Sequence, residues 1–249
     1  MKKFICLIFL VFLFSFCLFS CGRVTVELNG GTIDIDISDT VKIKDIIKEE
    51  PTKEGYIFGG WYSDKGMAQL VTEETEGLNK IDKVYAKWIT AEEKTYNVRQ
   101  DIVKITDSGR KKQHMDIVNL SKDFDYQGLK YAGYKELKIE FSFYIHEIHD
   151  GYQYVFFYSD KSCVDTSSLD YFVSNKLFGK TPDDPSLLCS YRFEHGSGYV
   201  ESMRYKYDFT AYVSLDDIKD DLYIRYGASG KYDDDWYNDN VSIKVTPIK

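Results

Sequence analysis

Hydrophobic and polar positions divide the chain into four stretches. After Lys2 and Lys3, the run from Phe4 to Phe19 is apolar and carries no charge. From Val24 the pattern alternates with the two-residue period of a strand. Residues 24–28 (VTVEL) are followed by Asn29, Gly30 and Gly31 as turn formers, and 32–37 alternate back, which predicts a hairpin. Val41, Ile43, Ile46 and Ile47 are spaced as one face of a short helix that Pro51 stops. Two aromatic strand patterns follow, at 55–62 and 84–88. Residues 91–96 are polar and predict a linker. Beyond it, Leu137, Ile139, Phe141, Phe143 and Ile145 share one face of a strand, and Asp150 and Gly151 predict a turn into a second strand at 152–158, again a hairpin. Further alternation at 187–193, 199–213, 222–226 and 241–245 predicts more strands. Repeated short strands without long helical periods give a mainly β chain whose larger part, 97–249, is an antiparallel β-sandwich.

The first stretch has the basic start and apolar centre of a secretory signal peptide, and is shorter than the roughly 20 residues that span a bilayer. It ends in Leu18, Phe19, Ser20, Cys21 and Gly22. That string resembles the lipobox of bacterial lipoproteins. The resemblance implies removal of residues 1–20 and attachment of acyl chains, palmitate among them, to the Cys21 thiol, which holds the mature protein on a membrane. An uncleaved anchor or an ordinary secreted chain cut nearby are the alternatives. No later stretch is apolar enough to span a bilayer, so the remainder is expected outside the cytosol as soluble domains.

Charge narrows the partners. The chain has a formal net charge of −8, and loss of Lys2 and Lys3 without any acid brings the mature protein to −10. An acidic protein is a poor ligand for phosphate backbones, so no nucleic-acid partner is expected. Of five cysteines, Cys6 and Cys17 fall in the signal and Cys21 takes the lipid. Cys163 and Cys189 remain; outside the cytosol they either pair or lie as two buried thiols. No cysteine or histidine spacing matches a zinc site. All 21 tyrosines follow the signal.

Three motifs in the first domain carry a resemblance. VTVELNGGT, then PTKEGYIFGGWYSD, then VYAKW together resemble one Listeria–Bacteroides repeat, also called the internalin B-type repeat, over about 65 residues within 21–90. The resemblance implies a small β-grasp (α+β) fold, a sheet crossed by a helix, and a role in surface presentation or adhesion without a catalytic set. Trp61 and Trp88 would then anchor the core with Tyr56 and Phe58 beside them, and Gly55 and Gly60 would allow tight backbone. The Gly-Trp-Tyr triplet reads as packing rather than as a sugar platform. The loop from Lys65 to Gly77 is longer and more acidic than the repeat's pattern.

In the second domain, residues 222–227 and 236–243 resemble the last two strands of galactose-binding-like jelly-roll modules, which implies a jelly-roll-like sandwich and no function by itself. The chemistry is sparse. His146 and His149 are three apart at a strand end, where successive side chains diverge, so they do not make the paired ligands of a helical zinc site. Aspartates at 216–217, 220–221 and 233–235 read as solvated loops, with calcium as the alternative. No phosphate-binding, dinucleotide or nucleophile-elbow motif exists, and no cofactor or metal is expected. The remaining constellation is Tyr232, Trp236 and Tyr237 with Asp239 and Asn240. Aromatic faces stack on sugar rings while the amide and carboxylate bind hydroxyls; alternatively Trp236 simply anchors a loop crossing the sandwich.

The expected function is a lipid-anchored, extracytoplasmic surface protein that binds a glycan or a host or envelope protein without catalysis. The alternatives are an extracytoplasmic glycan hydrolase with its site in the sandwich, and an envelope component with no ligand.

Overall fold

A computed structural model describes residues 24–37, 41–98, 114–146, 151–159, 187–194, 204–219, 221–230 and 237–249. The chain divides into two compact units, Met1–Thr90 and Ala91–Lys249.

The first unit is a four-stranded sheet of order β1-β4-β2-β3, built from β1 (Thr25–Glu27), β2 (Ile57–Tyr62), β3 (Leu70–Val71) and β4 (Lys83–Ile89). The first strand lies parallel to β4, with Thr25 opposite Lys83, while β2 runs antiparallel to β4 and β3. Helix α1 (Ile43–Ile46) sets Ile43, Ile46 and the following Ile47 into the core, as the apolar spacing requires. This is the β-grasp arrangement.

Between Phe58 and Trp61 the register of β2 slips against β4. Gly60 adopts φ 108° there, a conformation open to glycine and strained for other residues. The bulge explains why Phe58 through Tyr62 are all buried although a regular strand would alternate.

The hairpin expected at 24–37 does not form. Asn29 and Gly30 do turn the chain with positive φ, and the Gly31 amide donates to the Leu28 carbonyl. The returning segment then leaves β1: Thr32 and Thr52 exchange both backbone hydrogen bonds at 2.8 Å. The ladder edge of β1 belongs to β4. The alternation in 32–37 survives only as burial, with Ile33 and Ile35 half-buried between exposed Thr32, Asp34 and Asp36.

The second unit contains two four-stranded sheets, β10-β7-β12-β5 and β6-β11-β8-β9. The strands are β5 (Lys94–Val98), β6 (His114–Asn119), β7 (Glu136–His146), β8 (Gly151–Tyr158), β9 (Leu187–Glu194), β10 (Arg204–Ser214), β11 (Tyr223–Gly230) and β12 (Tyr237–Ile248). Segment 91–96 is therefore not a free linker, because its last residues open β5, which pairs with β12. Counted in chain order, the sheets read six-three-eight-one and two-seven-four-five. First pairs with last, second with seventh, third with sixth and fourth with fifth, all antiparallel. That is one long ribbon rolled up on itself, the jelly roll.

The roll also overturns the second expected hairpin. Strands β7 and β8 follow one another on the same arm of the ribbon and enter different sheets, β7 between β10 and β12, β8 between β11 and β9. The connection from β7 to β8 thus passes between sheets. Inward positions on the three longer strands of this sheet are apolar: Leu137, Ile139, Phe141 and Phe143 on β7, Ala211 and Val213 on β10, and Val241, Ile243 and Val245 on β12 are buried. Helix α2 (Tyr126–Tyr131) closes the β6–β7 connection. The Asp125 carboxylate caps it by accepting from the Gly128 amide at 2.9 Å, and Leu129 is buried beneath it.

Candidate functional site

In the first unit the aromatic triplet is core. Trp61 is 0% exposed, its Nε1 donates to the Glu49 carbonyl at 3.0 Å, and Phe58 meets it edge-on at 5.2 Å. Trp88 is half-buried and donates to the Leu28 carbonyl at 2.9 Å, which fastens the first turn to β4. A side chain at Gly31 would collide with that indole. Tyr56 departs from its expected core position, being 49% exposed. Its ring is covered instead by Lys53, whose Nζ stands 4.5 Å from the Tyr56 centroid, 5.8 Å from that of Trp88, and donates to the Asn29 carbonyl at 3.0 Å. Tyr56 sits just before β2, outside the bulge that buries its neighbours. The long acidic loop is internally fastened: the Asp64 carboxylate accepts from the amides of Ala68 and Gln69.

Residues 23–87 match the Listeria-Bacteroides repeat domain. The repeat points to a bacterial surface protein. No curated protein matches the sequence. Among solved structures, the chain is similar to that of the infectious bursal disease virus Gt strain, at 8% identity and a TM-score of 0.34 over 66% of this chain and 33% of that one. It is also similar to the VP2 subviral particle of the same virus, at 9% identity and a TM-score of 0.30 over 73% and 38%. This chain thus spans about a third of those it matches.

Outside the repeat, Cys21, Cys163, Tyr232 and Trp236 lie beyond the described residues, as do Glu147, Ile148 and His149. Cys189 falls within β9 and His146 closes β7. Tyr237, Asp239 and Asn240 fall in the first turns of the ladder of β12, where Tyr237 is opposite His146 and Asp239 opposite Tyr144. A bulge between Asp239 and Ser242 holds Asn240. Asp216 and Asp217 are exposed in a turn closed by Ser214, and among the described residues no three His, Cys, Asp or Glu side chains converge as a metal site.

Past the bulge, the register sets the outward positions of this sheet in rows that run across the strands. Asp208, Ser142, Ser242 and Asn97 form the first. Thr210, Glu140, Lys244 and Thr95 form the second, Tyr212, Lys138 and Thr246 the third, and Ser214, Glu136 and Ile248 the last. Charges in this face are paired: Glu140 accepts from Lys138 and Lys244 at 2.9 Å each, and Lys206 meets Asp208 at 2.9 Å. Those lysines hold the Glu140 and Asp208 carboxyls below their ordinary values by hydrogen bonding and charge. Tyr212 is 55% exposed at the edge strand. Sequence reasoning missed this face because pairing, not spacing, assembles it.

A second polar group, at the β6–β7 connection, is a latch. Tyr96 donates to Asp123 at 2.8 Å, Tyr126 and Ser121 share a hydrogen bond at 3.3 Å, Ser121 Oγ accepts from the Leu222 amide, and Tyr223 donates to Asp221. Burial raises the Tyr96 and Tyr126 hydroxyls well above the ordinary tyrosine value, helped by Asp123 and Asp221 respectively. A folded pKa above the unfolded one means that this stability is complete below about pH 10 and is lost as pH rises through the folded value. The sandwich is expected to lose thermal stability from about pH 10 upward, and Tyr126→Phe to flatten that slope. Melting curves between pH 8 and 11.5 measure it, and parallel slopes for both proteins would remove Tyr126 from the latch.

Proposed function

We propose that this protein is a lipid-anchored bacterial surface lipoprotein that binds a glycan or a protein of the envelope or host without catalysis. The repeat at 23–87 carries the reading, and the LFSCG string at 18–22 supports the anchor through Cys21. In this reading residues 1–20 are removed, acyl chains on Cys21 hold the chain at the membrane, and the repeat sits nearest the lipid in sequence. The jelly roll then presents the ligand surface, with Tyr232, Trp236, Tyr237, Asp239 and Asn240 as its loop-side candidates. More than one acyl chain holds a protein durably on a membrane where a single chain would not.

Intact-mass and N-terminal peptide spectrometry of the native protein tests the anchor. The expected result is a mature chain beginning at Cys21 with acyl mass on its first residue. An unmodified N-terminus, or one starting elsewhere, refutes it. Turnover of a bound glycan would convert the reading into hydrolase.

A further inference from the structure

We propose that the end of the repeat where β1 begins is a membrane-contact surface, held against the lipid headgroups by the shortness of the chain between Val24 and the anchor at Cys21. The inference rests on the anchor in the proposed function and adds which part of the fold the membrane meets.

Chain length imposes the contact. Only Gly22 and Arg23 separate Cys21 from Val24, and Val24 already belongs to the folded repeat. Its side chain is buried, its amide donates to the Val41 carbonyl at 3.4 Å, and the amide of Thr25 donates to the Asp82 carbonyl at 2.7 Å. The steps from residue 21 to residue 24 span at most about 10 Å even when fully extended. A headgroup layer is itself about 5–8 Å deep. A lipidated Cys21 therefore keeps Val24 beside that layer, with too short a spacer to hold the fold clear of it.

The strand directions say which residues share this end. Strand β1 enters the fold along the direction of the sheet, and β4 begins beside it in parallel, with Lys83 opposite Thr25. The chain leading into β4 makes a 3-10 turn at Leu78–Lys80, and α1, which follows Val41, packs on that turn. Lys42, Lys44 and Lys80 are exposed on these segments, as are Asp45 and Asp82, while Lys83 pairs with Glu27 at 2.8 Å. Lysine stems are long enough to carry their ammonium groups to headgroup phosphates. Acids and lysines are mixed here, so the tether and not a charged patch sets the proximity.

The other end of the sheet points away. Trp88 stands five residues along β4 from Lys83, a rise of roughly 17 Å. Lys53 lies over the rings of Tyr56 and Trp88 and donates to the Asn29 carbonyl, so these residues gather at the far end. Lys53 is thus an internal reference for lysines that the membrane does not meet.

The test places the full lipidated chain in vesicles of phosphatidylcholine and phosphatidylethanolamine and adds a short amine-to-amine cross-linker. Mass spectrometry then reads which lysine peptides carry ethanolamine lipid, and whether Cys21 carries acyl mass. The expected result is adducts at Lys42, Lys44 and Lys80 in about tenfold excess over Lys53. Insertion of about 20 Gly and Ser residues between Gly22 and Arg23 should remove that excess while the acyl mass stays. With acyl mass present, adducts at Lys53 equal to those at Lys42 and Lys80, or no adducts at all, overturn the inference and leave the anchor standing. An excess that survives the insertion overturns it too, since the short tether is then not what holds the surface. Absence of acyl mass on Cys21 overturns the anchor and the inference together.

Discussion

Trp61→Ala is expected to unfold the repeat while the jelly roll stays folded. The indole lies at the centre of β2 with no surface exposed, between Val71 of β3 and Ala86 of β4 in the ladder. Truncation of a buried large aromatic costs about 3–5 kcal/mol in lost transfer energy and cavity. It also strands the Glu49 carbonyl that accepts from Nε1, which adds about 1–3 kcal/mol if water cannot reach it. A domain of this size has a total stability of only about 5 kcal/mol, so the two losses together exceed or match what is available. Strands β5–β12 form a compact unit of their own, with its own core, so their protection is expected to remain. Hydrogen exchange read peptide by peptide measures this. Protection should vanish across 57–62 and 83–89 and persist across 137–145 and 241–245. Retained protection in the first pair of segments would mean that Trp61 is not the keystone of the repeat's core. Trp61→Phe, which keeps most of the ring and loses the hydrogen bond, should fall between the two.

The same ladder shows what a sequence can and cannot carry. Strand positions in β7, β9, β11 and β12 follow from alternation, because each buries one face and a two-residue period records it. The helix at Ile43–Ile46 was legible for the corresponding reason. Partner choice was not. Both expected hairpins were placed by good turn residues, Asn29 with Gly30 and Asp150 with Gly151, and both failed as pairings, since a turn records where the chain bends and not which strand it meets. Strand β5 was hidden by Glu92, Glu93 and Lys94, whose charges read as linker. An edge strand tolerates them, and Glu93 finds Lys244 and Thr246 across the sheet. Helix α2 had its signal in Asp125, an N-cap too short-ranged to outweigh a weak apolar period. Near the loop-side candidates, alternation marked a strand at 241–245 but neither its start at Tyr237 nor the bulge that sets Asp239 and Ser242 against Tyr144 and Ser142.

Removal of residues 237–249 is expected to abolish the jelly roll altogether. The last strand of the chain is interior to its sheet, with β7 on one side and the first strand, β5, on the other. It buries Val241, Ile243 and Val245, and the Ile248 carbonyl accepts from the Lys135 amide at 2.8 Å. Burial of three aliphatic side chains is worth about 5–9 kcal/mol, within the 5–15 kcal/mol that holds a whole domain. Deletion also leaves β5 without a ladder partner and bares one edge of β7, whose amides and carbonyls then lie unpaired beside an apolar face. A subtler version separates packing from pairing. Ile243→Ala should cost about 2–5 kcal/mol through its cavity, while Lys244→Ala, one residue along on the solvent face, should stay within about 0.5 kcal/mol because its ion pairs are exposed. Because β5 waits for β12, the β10-β7-β12-β5 sheet is incomplete until the C-terminal residues are present, and folding of the roll should be slow for its size. That order suits a chain exported before it folds, as the proposed lipoprotein route requires. Peptides of β7 that remained protected in the truncated protein would refute this, by showing that the β10–β7 pair holds its sheet without the closing strand.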